Sequence, residues 1–335
     1  MKLILAASMY NGGDPSAGHC YEYYHFYLTL QKMTDVELSV FDFMQIIRQE
    51  GRECMNRKLV DVVKRERPDL VLVIPVTDQL IPEIIDEINR HTITVAYFFD
   101  DMWRIEYARF WARHFSFITT SDADGVRKFR AAGHTNVIFS PFGTNQDVFC
   151  RLDLSKEFEV SFVGQYHPLR AWHLRALRRA GIKVAVWGTG WIAGRLDDAE
   201  IVRVFNQSKI NLNFSNSVSW DLRYLLSSPR AIRNTLTSVR KRDSKTHEQV
   251  KGRHFEINGC GGFQLSYYVE GLERCYQIGE EIAIYTSPDE LVEKTRHYLK
   301  YENEREQVAQ RGYERTVTEH TMQSRLRAIF RDAGC

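Results

Sequence analysis

The sequence predicts an α/β protein: two doubly wound, Rossmann-like domains facing a common cleft. Three observations carry that expectation. Short β-branched apolar runs alternate with helix-length amphipathic segments along almost the whole chain, and the alternation restarts near residue 152. At 335 residues the chain is also too long for one ordinary hydrophobic core.

The first half supplies six strand-like runs, at 3–7, 37–41, 70–74, 94–99, 117–120 and 137–140. Helical patterns such as 53–67 and 122–132 separate them, and Gly133 follows the second as a helix-ending residue. Runs that are apolar throughout imply strands buried on both faces, which makes a parallel sheet covered by helices. The second half repeats the scheme. A strand at 158–163 ends in Gly164, a helix follows at 169–180, and a strand at 184–187 ends in Gly188. A helix at 198–207, a strand at 210–214, a helix starting near Gly252, and strands at 263–266 and 282–285 complete it. The short polar segment 149–156 has the composition of a hinge, which sets the domains at 1–150 and from 151 onward. One stretch breaks the pattern. Residues 227–253 are long, strand-poor and basic, and read as an inserted loop or mobile flap.

Composition narrows the classes. Hydrophobic residues at 44% and charged residues at 26% are those of a globular protein in water. A net charge of +2 gives no global attraction to nucleic acid or to a membrane surface. The six cysteines are scattered without a Cys-x-x-Cys pair, which argues against a disulfide framework and a zinc site. The apolar run at the N-terminus stops at Tyr10, too soon for a signal peptide. No stretch reaches the roughly 20 apolar residues of a membrane helix. A cytoplasmic location, no metal, no cofactor and no stable membrane insertion are the expectations.

Ligands of open parallel sheets sit at the C-terminal ends of the strands, so those ends were read for chemistry. Gly12 and Gly13 follow the first strand, where glycines let a ligand approach the backbone; an ordinary tight turn explains them equally. Asp100 and Asp101 emerge from the fourth run beside Trp103. One aspartate can cap the next helix, and a pair can also orient ligand hydroxyls or hold a metal. Gly164, followed by a helix start and Arg170, fits a pyrophosphate cradle, although Arg170 also suits a solvated helix face. Gly188, in Trp187-Gly-Thr-Gly-Trp191, leaves room for a flat base. The densest cluster runs from Glu248 to Phe263. Lys251 and Arg253 lie at a helix N-terminus, an anion site by charge and dipole together. Glu256 falls within that helix, where a carboxylate can bind two ribose hydroxyls. Gly261 and Gly262 lead on to the next strand and are expected to join the donor-binding residues.

Here the chain resembles the CgeB/YkvP-type spore-protein glycosyltransferases, a branch of the two-domain GT-B enzymes related to glycosyltransferase family four. The resemblance is strongest over Lys251 to Phe263, and continues through Glu270-Gly271-Leu272, Gly279 to Ile282, Tyr285, Ser287, Asp289 to Leu291 and His320-Thr321. Asp100-Asp101-x-Trp103 and Ser161 to Gly164 are further matches. It implies transfer of a hexose from a nucleoside-diphosphate sugar such as a UDP-sugar, bound mainly by the second domain, with retention and without metal. Glu248 and Glu256 have the family's Glu-x7-Glu spacing, the second glutamate on the ribose. Lys251, Arg253 and Arg170 would face the departing diphosphate, and its oxygen would take the acceptor's proton, so no dedicated base is required. Asp100 and Asp101 stand where a histidine is usual, and would contact the donor sugar or the acceptor. The final helix, 320–335, would pack back on the first domain, which leaves 151–319 as the donor domain. Alternatives on the same fold are a nucleotide-sugar epimerase or hydrolase, or a non-catalytic surface or assembly protein. The acceptor stays unidentified. The excess of Arg and Lys in 227–253 is read as a solvated face or as a site for an anionic acceptor or membrane surface.

Overall fold

The computed structural model describes residues 1–99, 101–102, 104–216, 218–240 and 248–335. The chain divides into two units: unit 1, Met1–Asn145 with Met322–Cys335, and unit 2, Gln146–Thr321. The sequence reading placed the division at 150/151; here it falls after Asn145.

Unit 1 holds the strands β1 (Lys2–Ala7), β2 (Glu37–Asp42), β3 (Leu70–Val73), β4 (Ile93–Ala96), β5 (Phe117–Thr120) and β6 (Val137–Phe139). Its helices are α1 (Leu28–Lys32), α2 (Phe43–Glu50), α3 (Arg52–Glu66), α4 (Pro82–Ile88), α5 (Ile105–Trp111) and α6 (Gly125–Ala131). The sheet is parallel throughout, in the order β2-β1-β3-β4-β5-β6. Successive strand residues point to opposite faces, so two cores form. Ile4, Ala6, Val71 and Val73 enter one core with Leu59 and Val63 of α3. Leu3, Leu5, Leu70 and Leu72 enter the other with Phe26 and Leu30.

Unit 2 holds β7 (Phe158–Val163), β8 (Ala185–Trp187), β9 (Ser208–Asn213), β10 (Gln264–Tyr267) and β11 (Ala283–Tyr285). Its helices are α7 (Pro168–Arg179), α8 (Asp198–Gln207), α9 (Leu222–Leu225), α10 (Pro229–Arg240), α11 (Gly252–Gly259), α12 (Pro288–Lys300) and α13 (Glu302–Glu319). This sheet too is parallel, in the order β11-β10-β9-β7-β8. The last helix, α14 (Met322–Ala333), belongs to unit 1. Its Met322, Leu326 and Ile329 join the core of Leu3 and Leu5. Among the described residues no helix is long and apolar enough to cross a membrane.

In both sheets the strand order reverses direction beside the first strand, between β1 and β3 and between β7 and β9. Crevices for ligands open at such switch points. Segment 227–253 departs from the expected loop, since Pro229–Arg240 is helix α10. Ser228 accepts the Ala231 N–H at 3.1 Å, Pro229 occupies the first turn, and Ala231 and Thr235 turn one face inward. The abundance of arginine masked that start signal. Lys241, Arg242, Asp243 and Lys245 of the basic stretch lie outside the described residues.

Candidate functional site

Unit 2 gathers most of the expected residues at the C-terminal ends of β7, β8 and β9. The loops after β7 and β8 are joined backbone to backbone. Gly164 N–H donates to the Trp187 carbonyl at 2.9 Å, Tyr166 N–H to the Thr189 carbonyl at 2.8 Å, and the Trp191 indole to the Gly164 carbonyl at 2.9 Å. Gly188 makes the joint possible. Its φ is +133°, and a Cβ there would lie 2.1 Å from the Gly164 oxygen. Gly188 is therefore required by packing of the two loops.

Arg170 lies in the first turn of α7, which is capped by His167 accepting the Leu169 N–H at 3.3 Å. Its side chain folds back so that Nη1 donates to the Gln165 carbonyl at 2.8 Å. Nε is buried with no hydrogen-bond partner. Burial pulls this guanidinium below its ordinary pKa, and the Arg253 charge adds to the effect against the pull of Tyr285. Two cations that repel each other across a partly buried space are stabilised by an anion between or beside them.

Arg253 reaches that space from α11, and the position of α11 is set by a histidine that the sequence reading passed over. His254 is fully buried. Its Nδ1 lies 3.0 Å from the Lys251 amide nitrogen, and Nε2 lies 3.3 Å from the Ser215 hydroxyl and 3.2 Å from the Ser266 hydroxyl. Ser215 follows β9 and Ser266 is in β10, so His254 fastens the N-terminus of α11 to these strands. Burial lowers the His254 pKa to about 4, which keeps the ring neutral at pH 7. Lys251 is the residue that precedes the helix, and the first turn places Arg253 and Glu256 on neighbouring positions. Arg253 Nη1 is 2.8 Å from Glu256 Oε2. The contact is an ion pair without hydrogen-bond alignment. The Arg253 guanidinium also lies over the Phe205 ring, at 5.1 Å.

Glu248 belongs to the same neighbourhood, for its charge acts on Tyr267 and Tyr285. Burial alone raises its carboxyl to about 7. The Tyr285 hydroxyl, Asn216 Oδ1 and both side-chain polar atoms of Gln249 are buried here without partners. Buried polar atoms are almost always hydrogen-bonded, so the unpartnered Tyr285 hydroxyl, which feels the Arg170 charge, is an open polar position beside that guanidinium. His254 and Tyr285 fall on positions of the family resemblance but were given no role, and Asn216 and Gln249 carried no sequence signal, because all four roles follow from three-dimensional neighbours.

Two expectations are corrected, those for Gly261 with Gly262 and for Asp101, and of the readings left open for Gly12 and Gly13 packing accounts for Gly13. Gly261 and Gly262 do not join the anion site. They precede β10, at the opposite end of α11 from Lys251; an eight-residue helix separates the two ends by about 12 Å. Arg151 covers Gly261 there, and Asn211 approaches Gly262. Gly12 and Gly13 form a short 3₁₀ turn, and Gly13 is buried against Met44 of α2, so packing accounts for it. Asp101 is 1% exposed. Its carboxylate accepts from the Thr120 hydroxyl and from the Ser121 N–H and hydroxyl, at 3.2 and 3.1 Å for the latter two. Burial pushes its carboxyl up. Asp101 thus ties the loop after β4 to the end of β5 and turns no free oxygen to a ligand. Asp100, the other member of the pair, lies outside the described residues. Among the described residues no three His, Cys, Asp or Glu side chains are arranged to hold a metal ion.

Comparison with known proteins places this geometry. The family described as "Glycosyl transferase-like" matches residues 170–331, which contain Arg170, Gly188, Glu248, Lys251, Arg253 and Glu256. The fold is that of solved GT-B enzymes. Sucrose-phosphate synthase from Thermosynechococcus elongatus is similar over 99% of this chain and 98% of its own, with 10% identity and a TM-score of 0.65. Anabaena HepE, solved with UDP, is similar over 99% of both chains, with 10% identity and a TM-score of 0.61. A glycosyltransferase from Rickettsia africae is similar over 99% of this chain and 97% of its own, with 8% identity and a TM-score of 0.63. No curated protein matches the sequence.

Proposed function

We propose that this chain is a glycosyltransferase that takes a sugar from a nucleoside-diphosphate-sugar donor, with the nucleotide held at the strand ends of unit 2. The carrying observation is the pair of partly buried guanidinium groups beside the N-terminus of α11: Arg170, whose buried Nε has no hydrogen-bond partner, and Arg253, held by Glu256. A diphosphate supplies the missing acceptors, and the helix terminus adds its dipole. The glycosyltransferase-like match over 170–331 and the UDP bound by the similar HepE support the reading.

When the sugar departs, negative charge grows on the diphosphate. Arg170, Arg253 and Lys251 oppose that charge, and each contact is worth more in the transition state than in the ground state. These fixed cations can do the work a divalent metal does in other transferases, so the reaction proposed is metal-independent. Glu256 holds Arg253 through their ion pair and contributes a carboxylate for ribose. Glu248, whose carboxyl burial raises to about 7, can in its protonated form donate a hydrogen bond to the donor sugar or its phosphate. Retention at the anomeric carbon, with a phosphate oxygen receiving the acceptor's proton, is the stereochemistry proposed. Asp101 is assigned a positioning role through Thr120 and Ser121, while contact with sugar or acceptor is left to Asp100.

The test is thermal unfolding against a panel of nucleoside diphosphates and nucleotide sugars, with and without chelator, followed by assay of diphosphate release. Ligand at one hundred times Kd stabilises by about 2.7 kcal/mol. At least one nucleotide should do so in chelator. If none does, the nucleotide site is wrong; if chelator abolishes the effect, the metal-free chemistry is wrong.

A further inference from the structure

The segment that interrupted the α/β pattern forms an unusual surface of unit 2. Helices α9 and α10 pack inward through Tyr224 and Ala231 against Leu169 of α7, all fully buried. That contact sends the neighbouring apolar residues outward. Leu222 and Leu226, four residues apart, are 72% and 81% exposed. On α10, Ala231 and Thr235 face in, while Ile232 and Leu236 face out. Trp220 precedes them, 67% exposed. Five of the fourteen large apolar side chains exposed among the described residues fall within 220–236. Single exposed apolar residues need no explanation, but a cluster marks an interaction surface.

The charges beside this cluster identify its partner. Arg223 is held by Asp221 and Asp289, at 2.8 and 2.7 Å. Arg230 and Arg233 are exposed, and neither forms an ion pair among the described residues. Against the same helices runs a groove of about 760 Å³, to which Arg175, Arg179 and Arg296 contribute cations against Asp289 and Glu293. A second copy of the chain would set arginines against arginines. A polyanion such as nucleic acid would use the arginines and leave four aliphatic side chains in water. An anionic bilayer uses both: leucine, isoleucine and tryptophan enter the acyl boundary, and arginines meet lipid phosphates.

We propose that unit 2 docks reversibly on an anionic lipid surface through the apolar side chains of 220–236, with Arg230 and Arg233 against lipid phosphates. The proposal does not depend on the glycosyltransferase reading. It is tested by vesicle flotation of the full chain, using phosphatidylcholine alone and equal parts phosphatidylcholine and phosphatidylglycerol. The protein should float with the mixed vesicles only, and added salt should release it. Arg230→Ala and Arg233→Ala should each weaken binding about fivefold. Leu222→Ser and Leu226→Ser should each weaken it about tenfold, with unfolding midpoints unchanged because both residues are exposed. Absence of binding, or equal binding to neutral vesicles, overturns the proposal. So does sensitivity to the arginine variants alone, which indicates a polyanion site. A dimer in sedimentation that the leucine variants dissociate, without vesicle binding, assigns the surface to a second copy instead.

Discussion

Units 1 and 2 share a parallel, doubly wound plan, yet they treat the polar groups at their strand ends differently. In unit 1 the one described carboxylate expected to be reactive, Asp101, is buried with three donors on its oxygens. The unpartnered buried atoms of that unit are single hydroxyls, of Thr29, Tyr97, Ser140 and Thr144, together with Glu66 Oε2. In unit 2 the unpartnered atoms include guanidinium nitrogens of Arg170 and Arg253 and the amide of Gln249. A hydroxyl without a partner costs a fold little, whereas a buried guanidinium whose hydrogen bonds are only partly satisfied costs more. Unit 2 is therefore the unit whose strand ends leave charged donors partly uncommitted, and in unit 1 the described Asp101 is committed to structure.

The largest effect expected from this contrast is at Gly188. Gly188→Ala forces a Cβ to 2.1 Å from the Gly164 oxygen at φ +133°. It should destabilise unit 2 by more than about 4 kcal/mol in denaturant unfolding. Gly12→Ala in unit 1, where φ is +60° but no atom lies within 4 Å, should cost only about 1 kcal/mol. Equal costs would show that the two loops of unit 2 are not locked together.

Next in size is Asp101→Ala, which strands three buried donors and should destabilise by about 3 kcal/mol. Nucleotide affinity of the folded protein should be retained. A variant of full stability and no turnover would return Asp101 to the reacting groups.

Much of this was legible in the sequence, and the misses have physical causes. Strands were readable because a doubly covered parallel strand is apolar at every position, as in Leu3–Leu5 and Leu70–Val73. The helix from Gly252 and its basic start were readable because capping and dipole effects are local. The other end of that helix was not, since the sequence shows that glycines are near Arg253 along the chain but not that a helix holds them apart. Asp101 was misjudged and His254 given no role for a related reason: one is a buried anchor and the other a buried bolt through partners distant in sequence, Thr120, Ser215 and Ser266. In α10 the run of arginines hid a helix whose buried face is small, Ala231 and Thr235.

A smaller effect separates binding from folding in unit 2. Glu256→Gln keeps shape but removes the carboxylate paired with Arg253. Loss of one charged hydrogen bond corresponds to about 1.5–3 kcal/mol of donor affinity. It should appear as a raised KM, with kcat changed less. A changed kcat at constant KM would assign Glu256 to the reacting bond instead.

The smallest effects are in pH dependence, and they have opposite signs within unit 2. Burial lowers His254 and His173 to about 4. Between about 4 and 6.5 the unfolded chain binds protons that the folded one refuses, so these residues make stability fall as pH falls. Glu248, raised to about 7, is protonated in the folded state while ionised in the unfolded state above about 4.5. It makes stability fall as pH rises through that window. Urea midpoints measured from pH 4 to 7 should therefore rise more steeply with pH in Glu248→Gln than in the unaltered protein. An unchanged slope would mean that Glu248 titrates as an exposed carboxylate.

The central claim is that the anion site lies in unit 2 at Arg170 and Arg253. Its most direct test is isothermal titration of UDP and other nucleoside diphosphates in chelator, into the unaltered protein, Arg170→Ala, Arg253→Ala and Asp101→Asn. For the nucleotide that binds, each arginine variant should lose roughly tenfold to a hundredfold in affinity, the equivalent of one charged hydrogen bond. Asp101→Asn should bind within about twofold of the unaltered protein, whatever its stability. Undiminished affinity in both arginine variants, or loss confined to Asp101→Asn, would contradict the account.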